Sequence, residues 1–194
     1  GGVIIDLDVN KTIQAYYKIN GKDYTQIFSK SQQSQFVTDY EIGKIDSSTF
    51  RNHIRELLQV DTTDQAIDDA WNAMLSGYPK RNIEFVRNVS LHKRTFILSN
   101  TNEIHKQAAD KVLLEKHNGS TWEKLVEKAY FSHIMGDRKP NESIFRTVLN
   151  ENQLIPEETL FIDDSPQHVE GASKTGIQTI HLKDGMSITE LGII

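Results

Sequence analysis

Apolar positions along this 194-residue chain change their spacing twice. Near the amino end Val3-Ile4-Ile5 is a short continuous apolar run, which reads as the second half of a buried strand followed by a turn. Over residues 12–78 the spacing becomes helical. Phe50, Ile54, Leu57 and Leu58 fall on one stripe, Ala66, Ile67, Ala70, Trp71, Met74 and Leu75 on another, and Thr62-Thr63-Asp64-Gln65 carries a capping-box signature. Gly43, in Tyr40-Glu41-Ile42-Gly43-Lys44, is the expected helix terminator, so this stretch predicts a small bundle of short amphipathic helices. Beyond Pro79, short apolar runs alternate with helical stretches. Helices are expected over 82–92, 102–117, 141–150 and 166–175, and strands over 94–99, near 130, and over 159–163 and 178–182. That alternation predicts an α/β doubly wound parallel sheet with right-handed crossovers. Residues 1–11 and 80–194 would form the α/β core, with 12–79 inserted as an α-helical cap.

Polar residues gather where the apolar runs end: Phe96-Ile97-Leu98-Ser99-Asn100, Arg138-Lys139-Pro140 and Leu160-Phe161-Ile162-Asp163-Asp164. Open parallel sheets bind ligands outside the carboxyl ends of their strands, so these residues are expected to converge. Ser99 precedes a helix whose first N–H groups lack intrahelical partners, an arrangement that suits a phosphate; Ser99 or Asn100 would equally serve as a simple cap. Lys139 lies at the positive end of the next helix, taken to begin at Pro140, where its charge is locally unfavourable unless an anion binds. On that reading, removing Lys139 costs no stability. Asp163 and Asp164 repel one another unless a cation lies nearby, and hard carboxylate oxygens select Mg²⁺. One of the two could instead be a solvated helix cap.

Composition excludes several chemistries. With no cysteine there is no disulfide, thiolate metal site or cysteine nucleophile, and the seven histidines form neither a His-x-x-His nor a His-Glu-x-x-His pattern, which leaves zinc hydrolysis without support. The net charge of −5, without a basic cluster, argues against nucleic acid as a partner. No apolar stretch approaches the roughly 20 residues of a spanning helix, so no membrane partner is expected and the cytoplasm is the default location. Trp71 and Trp122 read as packing residues.

Ser99-Asn100-Thr101-Asn102, then Gly136-x-x-Lys139-Pro140, then Phe161-Ile162-Asp163-Asp164 with Gly171-Ala172 and Gly176 downstream, resemble the motifs of the haloacid dehalogenase-like hydrolase superfamily in their order and separations. The likeness spans the chain, with the helical insertion where that superfamily carries its cap, and is strongest to the subgroup of α-D-glucose-1-phosphate phosphatases and the phosphatase-type domain of epoxide hydrolases. It implies a Rossmann-like core and Mg²⁺-dependent hydrolysis of a small phosphate monoester, such as a sugar phosphate, through an aspartyl phosphate. Matching Gly1-Gly2-Val3 to the subgroup's Gly-x-Val places the nucleophilic aspartate two residues before Gly1. Asp6-Leu7-Asp8-Val9-Asn10 is a poorer match to the nucleophile motif, because Asn10 stands at its fifth position. Gly1 then occupies the place of the usual acid/base aspartate, leaving that role unassigned, while its carbonyl remains a metal ligand alongside Asp163 and Asp164. Ser99, Asn100 and Lys139 become the phosphate-binding residues, with Lys139, Asp163 and Asp164 catalytic. The partner implied is a small phosphorylated metabolite, and the assembly a monomer or weak homodimer. The alternatives are a carbon–halogen hydrolase, which needs no metal, and a non-catalytic binder of phosphorylated ligands.

Overall fold

The computed structural model describes residues 1–22, 25, 35–183 and 185–193. The chain opens with Val3 and Ile4 held by a side chain: the buried Asn82 amide donates to Val3 O and Ile4 O, both at 3.2 Å. The expected half-strand is therefore absent, its carbonyls taken outside any ladder. The first strand is β1 (Asp6–Leu7), which pairs antiparallel with β2 (Leu75–Gly77).

Between these two strands lies the helical block, comprising α1 (Val9–Asn20), α2 (Gln35–Glu41), α3 (Ser47–Leu58) and α4 (Asp64–Asn72) among the described residues. Its helix ends follow the local chemistry. Asp8, Asp46 and Thr63 cap α1, α3 and α4 through their side chains, and Gly21, with φ 74°, terminates α1 in the left-handed region. The cap of α4 lies one residue later than the capping-box pattern suggests, at Thr63 bonding Ala66 N. The apolar stripes meet in one cluster of Tyr16, Tyr40, Phe50, Ile54, Leu58, Ile67 and Trp71, with Phe50 between Tyr40 and Trp71 at ring-centroid distances of 4.4 and 5.0 Å; Met74 packs against it from beyond the end of α4, whereas Leu75, expected on the same helical stripe, lies in β2. Ile104, from beyond the block, completes it.

The rest alternates as the spacing foretold: α5 (Lys80–Ser90), β3 (Phe96–Ser99), α6 (Glu103–Lys116), α7 (Trp122–Leu125), β4 (Lys128–Phe131), α8 (Ser132–Met135), α9 (Glu142–Glu151), β5 (Leu160–Asp163), α10 (Pro166–Ser173) and β6 (Gln178–His181). β3 runs parallel to β4, with Ser99 level with Phe131, and β5 runs parallel to β6, with Asp163 level with His181. One core cluster, built on Ile83, Val86, Leu113 and Trp122, packs α5, α6 and α7 against Ile97 and Ala129. Another, built on Ile144, Phe145, Leu149 and Ala172, packs α9 and α10 against Leu98 and Phe161. Helices thus cover both faces, as a doubly wound arrangement requires. The described strands form separate pairs, however, with no ladder joining β3 to β5. Leu98 O accepts instead from Lys139 Nζ at 3.0 Å. No described helix is long and apolar enough to cross a membrane.

Candidate active site

The strand ends bring Lys139 and Asp163 together. Lys139 is 6 % exposed and Asp163 4 %, and their charged atoms lie 2.6 Å apart. Lys139 Nζ also bonds Leu98 O and lies 5.4 Å from the centre of the Phe161 ring, so a single ammonium spans the ends of β3 and β5. Both oxygens of Asp163 are engaged. Its Oδ1 accepts from Ser165 N at 2.9 Å and from His168 Nδ1 at 2.8 Å, while Oδ2 accepts from Lys139. Burial alone would raise this carboxyl's pKa; the His168 hydrogen bond and the Lys139 charge outweigh it and hold the group well below the usual carboxylate range.

These contacts correct the local reading of Lys139. α9 starts at Glu142 behind Asn141, and Pro140 lies ahead of it, joined to Lys139 by a cis peptide bond. Lys139 is therefore neither solvated nor placed at the start of a helix. Two further devices fix its backbone. Asn100 embraces it, donating from Nδ2 to Lys139 O and accepting at Oδ1 from Lys139 N, both at 2.9 Å. Gly171 of α10 lets Pro140 approach so closely that a Cβ there would fall 2.2 Å from Pro140 O. The amide of Asn100 thus positions the lysine.

The helix after Ser99 also departs from expectation. Ser99 ends β3, but the cap of α6 is Asn102, whose Oδ1 accepts from His105 N at 3.0 Å. Thr101 N donates to Ser132 Oγ at 2.9 Å and Ile104 N to the Tyr40 hydroxyl at 3.2 Å. Much of this helix terminus serves capping and attachment of the helical block, which leaves Ser99 and Lys139 as the groups nearest the phosphate role. The same attachment includes Trp71 stacked on His105, ring centroids 4.7 Å apart, with His105 Nε2 donating to Trp71 O at 3.0 Å.

Asp164 follows Asp163 out of β5. A Cβ built on Gly2, where φ is +74°, would lie 2.1 Å from Asp164 Oδ2, so the carboxylate rests directly on the Gly1-Gly2 backbone. His181 Nε2 donates to Asp164 O at 3.2 Å. Among the described residues no group of three or more His, Cys, Asp or Glu side chains could hold a metal. Magnesium needs less, because it commonly takes one or two carboxylates and keeps waters and substrate phosphate in its remaining positions. A carboxylate seated against glycine backbone fits that hard, oxygen-based set. Asp6 is exposed on β1 and Asp8 caps α1, so neither joins this cluster.

His168 escaped the sequence reading, which weighed histidines only as zinc ligands. The available signal was its place in the first turn of the helix that follows Asp163-Asp164-Ser165-Pro166, from where a side chain reaches back to the strand end.

Two parallel strand pairs covered by helices, a buried lysine–aspartate pair at the ends of β3 and β5, and a helical excursion between antiparallel β1 and β2 are the frame in which the comparison with known proteins falls. Residues 119–182 match the family model described as haloacid dehalogenase-like hydrolase. A haloacid dehalogenase family enzyme from Bacteroides thetaiotaomicron superposes with a TM-score of 0.90 at 32 % identity, covering 98 % of this chain and 94 % of the other. That enzyme has also been crystallised, as wild type, with magnesium and inorganic phosphate; this form gives a TM-score of 0.87 at 32 % identity over 99 % of this chain and 95 % of the other. D-ribitol-5-phosphate phosphatase of the same organism is 26 % identical over 95 % of this chain and 89 % of its own length. The chain belongs to the haloacid dehalogenase-like hydrolase family.

Proposed function

We propose that the protein is a magnesium-dependent phosphatase that removes the phosphoryl group from a small sugar or sugar-alcohol phosphate. The observation that carries this reading is the buried Lys139–Asp163 pair beside Asp164 and Gly2. It presents a fixed cation and a carboxylate at one point outside the strand ends, where an anionic ester would be held. The similarity to a ribitol-phosphate phosphatase and to a structure holding magnesium and phosphate supports the substrate class and the metal.

On this reading Ser99 and Lys139 hold the phosphoryl oxygens, and Asn100, Asp163 and His168 keep the Lys139 ammonium aimed. Asp164 and the Gly1 carbonyl would hold Mg²⁺; bound there, the ion supplies positive charge that neutralises the phosphoryl oxygens. Asp163, occupied on both oxygens, acts by orientation, outside the metal's own ligands. The attacking group would be the aspartate carboxylate of the family's first motif. Its attack on phosphorus would form an aspartyl phosphate and expel the leaving oxygen, which takes a proton from water to depart as the alcohol, and a second water would then hydrolyse the acyl phosphate to free phosphate and the carboxylate. The helical block serves as the cap that shields the reaction from water. We take the protein to act in the cytoplasm, as a monomer or weak homodimer.

The test is phosphate release by the full-length protein from pentitol, pentose and hexose phosphates, with magnesium present and with it chelated. Turnover of one or more of these, abolished by chelation, is expected. Release independent of magnesium, or from none of these esters, overturns the reading.

A further inference from the structure

Glu41, the last residue of α2, meets Arg138 at 3.2 Å, and Thr38 Oγ1 accepts from the same guanidinium nitrogen, Nη1, at 3.0 Å. Both ion-paired side chains are largely buried, 14 % exposed for Glu41 and 19 % for Arg138. The neighbouring Lys44–Asp39 pair is a surface contact by comparison, its lysine 64 % exposed. The Trp71–His105 stack and the Tyr40–Ile104 bond attach the helical block to α6. Glu41 and Thr38 instead land on the loop that carries Lys139. Two residues beyond Glu41, Gly43 lies against the His133 backbone, where an added Cβ would come within 2.3 Å of His133 O.

We propose that Arg138 is a positioning residue that couples closure of the helical block to the placement of Lys139, and through it to the choice of leaving group. The inference rests on the phosphatase reading above. Arg138 and Lys139 share a peptide unit, so the conformation that lets the guanidinium reach Glu41 also sets the backbone from which the Lys139 ammonium extends. Lifting α2 away would strip a largely buried carboxylate and guanidinium of one another, which disfavours the open state while the pair is intact. A polyol leaving group has to be enclosed and aligned before its poor oxyanion departs; a nitrophenyl group leaves readily and gains less from closure.

The experiment compares wild type, Glu41→Gln, Arg138→Lys and the exchanged pair Glu41→Arg with Arg138→Glu, all in the full-length protein with magnesium. Pentitol phosphate and p-nitrophenyl phosphate serve as substrates, and hydrogen exchange of the α2 amides gives a readout independent of activity. Glu41→Gln is expected to lower kcat/KM on the pentitol phosphate by about tenfold and on the aryl phosphate by no more than about threefold. The α2 amides should exchange faster while those of α9 and α10 do not change, Arg138→Lys should be intermediate, and the exchanged pair should regain part of the selectivity. Equal losses on both substrates, or α2 protection unchanged in Glu41→Gln, overturns the proposal. A wild type inactive on all sugar phosphates overturns the phosphatase reading instead, and α2 exchange then still decides whether the pair holds the block.

Discussion

The Lys139 ammonium and the Asp163 carboxylate, on segments 24 residues apart, meet at 2.6 Å where each is almost wholly removed from water. Removing one partner of such a pair is far more damaging than losing a surface ion pair, because the other charge stays buried and uncompensated. Lys139→Ala is expected to destabilise the protein by about 3–5 kcal/mol. Adding Asp163→Asn to it should restore part of that loss. Urea unfolding of the two variants checks both statements, and a Lys139→Ala variant as stable as wild type would restore the picture of a solvated lysine.

Asp164 provides the second expectation. Asp164→Asn keeps the size of the side chain and removes its charge, so the fold should tolerate it. Activity should fall by about 100-fold or more, equivalent to roughly 2.7 kcal/mol of transition-state stabilisation, with more magnesium needed for half-maximal rate. Magnesium titrations of steady-state phosphate release measure this, and an unchanged half-saturation point would remove Asp164 from the metal's ligands.

His105 makes stability depend on pH. Burial drives its pKa down from 6.5 to about 4, against the opposing hydrogen bond to Trp71 O. Because the folded value lies below the unfolded one, the unfolded state takes up the proton first. Stability is therefore full above pH 6.5 and declines as pH falls towards 4, by a total of about 3 kcal/mol. His105→Gln should flatten that stretch of the curve, read as the difference in urea midpoint between pH 7 and pH 4.5. An equally steep loss in the variant would assign the dependence to other groups.

Gly43 gives the fourth. Its φ of +70° and its contact with His133 O leave no room for a side chain. Gly43→Ala is expected to cost about 1–3 kcal/mol and to loosen α2. Thermal melts combined with hydrogen exchange would show it; a neutral substitution would mean that the loop relaxes without strain.

Strands β3 to β6 and the helices of the block were legible from sequence because each rests on a local signal: short apolar runs stopped by turn residues, and stripes at helical spacing closed by Asp, Thr or Gly; the two- and three-residue strands β1 and β2 carry no such run and were not. Asp163, Asp164, Ser99 and Lys139 could be picked out as the ends of such runs. Their partners could not. His168 on Asp163, Asn100 around Lys139 and Glu41 on Arg138 are pairings made by tertiary packing, and no periodicity records them. The reading of Lys139 from the helix dipole failed for a related reason. An effect of a few tenths of a kcal/mol, in a helix that starts later than expected, is outweighed by burial against a carboxylate. The half-strand at Val3-Ile4-Ile5 failed because Asn82, about 80 residues away, takes its carbonyls.

The antiparallel pairing of β1 with β2 clamps the two passages of the chain into and out of the helical excursion side by side, with Asp8 N bonded to Met74 O at 2.8 Å and Lys11 Nζ to Ser76 Oγ at 2.9 Å. Topologically the excursion is a loop already closed at its neck. The entropy of joining such ends grows only slowly with what lies between them, by about 0.6 kcal/mol for each doubling in length. A change of length beyond that neck should therefore cost little closure entropy, whereas an exchange of the whole excursion would also have to keep the contacts that Trp71, Tyr40 and Glu41 make with His105, Ile104 and Arg138.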